Sequence, residues 1–136
     1  MSVPIDTLIP HRPPMQWINE LTHCDDTTAR ATAHFPAGHF AVADGYILET
    51  ALVECVAQTV AAAQAKRAAS PKPSGPTRGG MLAAISRFQI ESRPSAGQTL
   101  QIEVRELKRF GPMLLIAGTV SCERRQLATG ELTLYA

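Results

Sequence analysis

From Tyr46 to Ala63 the chain is built almost wholly of apolar or small side chains, broken only by Glu49, Thr50, Glu54, Gln58 and Thr59. A helix that is hydrophobic nearly all round must be enclosed, either by a protein core or by a bilayer. The bilayer is the poorer fit, because the run is Ala-rich and an acid at its centre costs about 3 kcal/mol on insertion scales. The rest of the chain must therefore fold as a shell around one long helix. An enclosed carboxylate needs a partner or a task. Glu54 and Gln58 stand at i and i+4, on one helical face, so a buried acid beside a buried amide marks a candidate reaction site.

At 136 residues the chain fits one domain, 1–136, with one core. A net charge of +1, with 45% hydrophobic and 18% charged residues, is ordinary for a globular protein and favours no partner by bulk electrostatics. Three cysteines, Cys24, Cys55 and Cys122, form no CxxC pair and read as free thiols in a reducing cytoplasm. No basic segment followed by an apolar stretch opens the chain, so no signal peptide is expected. One Trp and little aromatic interleaving argue against nucleic acid.

Pro4, Pro10, Pro13 and Pro14 make residues 1–14 irregular. Gln16 to His23 and Thr28 to Phe35 read as a hairpin across an Asp25-Asp26 turn, and Pro36 to Gly45 as a loop. Asp44 is the candidate N-cap of a helix from Tyr46 to Ala68, roughly 35 Å long. A Pro/Gly loop from Ser70 to Gly80 ends it. Met81–Ser92, Thr99–Lys108, Met113–Glu123 and Gln126–Tyr135 read as strands, and the short breaks between them imply antiparallel hairpins. The pattern is α+β, with a curved antiparallel sheet wrapped around the helix.

Four motifs in this order resemble the hotdog-fold 3-hydroxyacyl-ACP dehydratases. Pro10-His11-Arg12-Pro13-Pro14-Met15 is similar to their PHR-x-P-[FM] signature, and Gly38-His39-Phe40 to the start of their GHFPG loop. Glu54-Cys55-Val56-Ala57-Gln58 resembles their E-x-M-A-Q helix motif, and Arg93-Pro94-Ser95-Ala96-Gly97-Gln98 their R-P-x-x-x-G-D turn. PHRPPM and Glu54–Ala62 (ECVAQTVAA) are nearest to a dehydratase-like subgroup, some of whose members are associated with aryl polyene biosynthesis. The loop departs from the main family. There the His lies fourteen positions before the Glu, where this chain has Phe40, and Leu48-Glu49 replace the Pro-Gly that opens the helix.

The resemblance implies dehydration of a 3-hydroxyacyl thioester on acyl-carrier protein to the trans-2-enoyl thioester, in fatty-acid or polyene-type biosynthesis. That reaction needs a base at C2, an acid at the C3 hydroxyl and a dipole for the developing enolate. A carboxyl enclosed by apolar groups can hold a proton and act as the acid, which suits Glu54. His39, or else His11, would be the base. Gln58 would orient Glu54. Gly45, Leu48 and Glu49 would border the substrate, the helix start offering N–H groups to the thioester oxygen.

Plainer readings stand beside these. Glu54 could pair structurally with Gln58 or with an Arg across a dimer, and the histidines could be solvated. His11 could anchor the N-terminal loop. Cys55 reads as a small core residue. His23-Cys24-Asp25-Asp26 reads as a turn, and without recurring ligand spacing no metal or other cofactor is expected. Acyl-carrier protein is acidic, which makes Lys66, Arg67, Lys72, Arg78, Arg87, Arg93, Arg105, Lys108 and Arg109 candidates for a basic rim. The resemblance implies a homodimer or higher oligomer, or a heterodimer with a related dehydratase. Two other functions stay open: a non-catalytic or weakly active subunit of a heteromeric dehydratase, favoured by the altered loop after His39, and a hotdog acyl thioesterase.

Overall fold

The computed structural model describes residues 3–9, 12, 15–68 and 81–135. In chain order they form β1 (Val3–Pro4), a 3-10 turn (Ile5–Thr7), β2 (Ile18–Cys24), β3 (Thr28–His34), β4 (Val42–Ala43), β5 (Tyr46–Ile47), α1 (Glu49–Ala68), β6 (Met81–Ile90), β7 (Thr99–Phe110), β8 (Met113–Cys122) and β9 (Arg125–Tyr135). The expected hairpin, helix and four strands are all present. The Ser70–Gly80 loop and His11 lie outside the described residues, as do Pro10, Pro13, Pro14, Lys72 and Arg78.

Seven strands form one antiparallel sheet in the order β1-β2-β3-β7-β8-β9-β6. The strands alternate as a half-buried sheet should: on β8, Leu114, Ile116, Gly118, Val120 and Cys122 are buried while the residues between them are not. β3 presents Ala29, Ala31 and Ala33, all fully buried, and these small side chains leave room for the helix. α1 packs against β2, β3 and β7 and also touches β6, β8 and β9. Register shifts within β2–β3, β6–β9, β7–β8 and β8–β9 tighten the twist of the sheet, which curls around the helix as expected. Every residue of α1 from Cys55 to Ala63 is buried. Gly118 on β8 faces Val56, and a Cβ there would meet Val56 Cγ1 at 2.5 Å. Only glycine lets these two backbones approach so closely.

Three local expectations are corrected. The helix begins at Glu49, not Tyr46, so its twenty residues span about 30 Å. Asp44 is not its N-cap. Asp44 and Gly45 have φ of 54° and 81° and form the two-residue turn between β4 and β5. Positive φ at both positions is the twist that a tight hairpin requires, and Asp-Gly is a favoured pair for it. Leu48 stands at the cap instead, its carbonyl accepting the Ala51 N–H at 3.0 Å.

The third correction concerns Arg93–Gly97, which closes no hairpin. β6 lies at the far edge beside β9, while β7 lies beside β3. The backbone of this segment is engaged elsewhere: Pro94 O accepts from Ile47 N–H (2.9 Å), Ala96 N–H donates to Gly45 O (3.0 Å) and Gly97 N–H to Phe35 O (2.8 Å). It is a strut that fastens the β4–β5 hairpin and the helix start to the sheet.

Candidate active site

Gln58 organises the site. It is 1% exposed, and a buried amide demands partners for both its oxygen and its nitrogen. Its Oε1 accepts the backbone N–H of Trp17 at 2.9 Å and of Ile18 at 3.4 Å. Its Nε2 donates to Met15 O at 2.9 Å and to Glu54 Oε2 at 3.1 Å. One side chain thus ties Met15, the last residue of the PHRPPM motif, and the Trp17-Ile18 segment after it to the carboxylate of the helix. The i, i+4 spacing pointed to the Glu54 contact. The bonds to Met15, Trp17 and Ile18 had no local signal.

Glu54 itself is half-buried rather than buried. It sits where the enclosed part of the helix begins, one turn before Gln58, and the next residue, Cys55, is fully buried. Burial pushes the Cys55 thiol far above the ordinary range, which keeps it an inert core group.

His39 lies in the loop after β3, half-buried. Its ring meets Phe35 edge-on at 5.0 Å and Trp17 at 6.2 Å, and stacks on Phe40 at 4.8 Å. Its Nδ1 accepts the Ala41 N–H at 3.0 Å. Hydrogen bonds among the described residues join Glu54 to Gln58 and do not join either to His39. Trp17 links the two parts: its backbone is held by Gln58 and its ring lies against His39.

The helix start carries the remaining expected residues. Leu48 N–H donates to Ala41 O at 2.8 Å, so this donor is already engaged. The N–H groups of the first helical residues, from Glu49 on, have no acceptor within the helix. Glu49 pairs with Arg93 (Nε to Oε1, 3.2 Å), whose Nε also reaches Ile47 O at 3.2 Å and whose guanidinium lies over the Tyr46 ring. Gly45 is exposed at the hairpin turn. Arg12 was not foreseen as an anchor. Its guanidinium donates to Ile9 O (2.8 Å) and Asp6 O (3.0 Å), and its carbonyl accepts from Met15 and Gln16 N–H.

Among the described residues, no group of three His, Cys, Asp or Glu is placed to hold a metal ion, and no helix is long and apolar enough to cross a membrane.

The sequence matches the family described as ApeP-like, ApeP dehydratase, over residues 3–136. The chain belongs to the ApeP-like dehydratase family. It is accordingly a polyene-type dehydratase, a hydro-lyase, and its fold is the hotdog. None of the curated proteins matches it by sequence. Among solved structures it is similar to the dehydratase heterocomplex ApeI:P from Xenorhabdus doucetiae, with a TM-score of 0.85 at 20% identity, covering 98% of this chain and 90% of that one. It also resembles the PaaI protein of the E. coli phenylacetic acid degradation operon (TM-score 0.68, 11% identity, 85% and 81% covered). A third likeness is to smu.793 from Streptococcus mutans UA159 bound to acetyl CoA (TM-score 0.70, 10% identity, 93% and 94% covered). At these identities the structural likenesses speak for the fold alone.

Proposed function

We propose that the chain, one hotdog unit over 1–136, dehydrates a 3-hydroxyacyl thioester carried on acyl-carrier protein to the trans-2-enoyl thioester. The observation that carries this reading is the Gln58–Glu54 bond. It fixes a half-buried carboxylate where the enclosed stretch of an apolar helix begins, and a positioned carboxyl is what proton transfer at the departing hydroxyl needs. Glu54 manages that proton, and His39 or His11 is the imidazole that works with it. Gln58 orients Glu54, and the helix start at Leu48 and Glu49, beside Gly45, faces the thioester.

A dimer is the proposed working form. Among the described residues β6 pairs only with β9 and ends the sheet, and Ala84 to Arg87 are exposed along it. An uncovered edge strand is a template for a second strand. The partner is either a second copy or a related dehydratase. The second option is supported by ApeI:P being a heterocomplex and by the loop after His39, which here turns into the β4–β5 hairpin. Free Cys24, Cys55 and Cys122 support work in a reducing compartment, the cytoplasm.

The test is to incubate the purified protein with a 3-hydroxyacyl-ACP and follow loss of water by mass. Wild type is expected to react alone or on addition of a partner dehydratase, and Glu54→Gln to abolish the reaction in the same mixture. Full activity in Glu54→Gln would sink the proposal. Release of free thiol in place of water loss would move the chain to thioester hydrolysis.

A further inference from the structure

We infer that His39 serves the reaction as a fixed hydrogen-bond donor through Nε2–H, and not as its base. The inference rests on the dehydratase reading above and refines the part played by the imidazole. It starts from the bond in which Nδ1 accepts the Ala41 N–H at 3.0 Å. A neutral imidazole has one donor and one acceptor nitrogen, and the bond made by one sets the state of the other. A lone pair that accepts an N–H carries no proton, so the ring proton sits on Nε2.

The surroundings hold the ring in this sense. Phe40 stacks on it with 20° between planes, and Phe35 and Trp17 meet it edge-on. The backbone is pinned on both sides, His39 N–H donating to Pro36 O and His39 O accepting from Val42 N–H, each at 3.0 Å. Turning the ring over would set a C–H against the Ala41 N–H and leave that donor unmet at a half-buried position.

A base must bring a free lone pair to the C2 proton, and in this tautomer Nε2 has none. Nε2–H can instead donate to an oxygen of the substrate whose negative charge grows as the reaction proceeds. The proton balance then closes on Glu54. Its carboxylate takes the proton from C2, and the C–H electron pair becomes the C2=C3 bond. The C3–O bond breaks with its own pair, and the same proton passes to the departing oxygen to give water. His39 keeps its proton throughout, and Glu54 ends as it began.

Two measurements test this. In the full chain labelled with 15N-histidine, at about pH 8 where an ordinary imidazole is neutral, two-bond 1H–15N correlations distinguish the tautomers, with His39 assigned by its absence in His39→Gln. The Nε2–H pattern is expected, and the Nδ1–H pattern overturns the inference. In the dehydration assay, the amide N–H of Gln can stand in for Nε2–H but not for a base. His39→Gln is therefore expected to lose no more than about tenfold, and His39→Ala on the order of 100-fold, the usual effect of removing one such donor. Equal inactivity of the two variants, or wild-type activity in His39→Ala, overturns the donor role. Full activity in Glu54→Gln would strike the dehydratase site itself while leaving the tautomer measurement intact.

Discussion

Trp17 and Gln58 lie 41 residues apart and are joined by a hydrogen bond from the Trp17 backbone N–H to Gln58 Oε1 at 2.9 Å. The same amide holds Met15 O and Glu54 Oε2, so it serves the fold and the site at once. Gln58→Leu keeps similar bulk and removes all of these bonds. Leaving buried backbone groups unmet costs ~1–3 kcal/mol each, so a loss of at least about 2 kcal/mol is expected by urea unfolding. Dehydration is expected to fall as well, because Glu54 loses its orienting donor.

The approach of β8 to the helix makes a second prediction. Gly118→Ala drives a Cβ into Val56, and overpacking of this kind costs ~1–3 kcal/mol. Val56→Ala removes the methyl groups in the way. The double variant should therefore be more stable than the sum of the two single changes predicts, a coupling that a double-mutant cycle reads from unfolding curves. Strict additivity would show that the contact is relieved elsewhere.

Asp25 supplies a pH signature for the β2–β3 turn. Backbone N–H of Thr27 (3.0 Å), the His23 ring (3.0 Å) and Thr28 N–H (2.8 Å) all bind its carboxylate and bring its pKa down to about 2. A depressed folded value means that the carboxylate's contribution is fully present above the ordinary carboxylate range and is lost as pH falls toward 2. Wild type is expected to be more stable than Asp25→Ala at neutral pH. The gap should narrow steadily on acidification between the ordinary value of 3.8 and about 2. A gap independent of pH would mean that the turn does not use the charge.

The sheet edge gives the fourth prediction. Ile85 on β6 is 51% exposed, and a charge on an edge strand discourages pairing with another chain. In light scattering coupled to size exclusion, wild type should elute with a partner and Ile85→Lys as a monomer with an unchanged circular dichroism spectrum. A dimer that survives Ile85→Lys would place the subunit contact on another surface.

The long elements were legible because periodicity acts over many residues: the alternation of β8 and the all-round apolar run of α1 leave little choice. β4 and β5 are two residues each, too short to show a period, and only the Asp44-Gly45 pair signalled their hairpin. The position of β6 was hidden for another reason. Its partner β9 lies beyond two further strands, and the short Arg93–Gly97 break that suggested a hairpin is held by Phe35, Gly45 and Ile47, residues distant in sequence. In the site, the Glu54–Gln58 contact followed from helical spacing. The Ala41 bond to His39 depends on how a loop folds back on itself, which residue types alone do not state.

The enclosure of α1 also bears on how the chain is made. Strands on both sides of the helix in sequence are needed to cover it: β2 and β3 precede it, and β6 to β9 follow. On the ribosome the helix therefore emerges before most of its cover exists, with the nine residues from Cys55 to Ala63 open to any sticky surface nearby. Domains completed late in synthesis expose such stretches for the time that translation takes, at roughly 5–20 residues per second. For this chain the wait runs from Ala63 until β9 has followed, so the strands made after the helix are those that close over it and end its exposure.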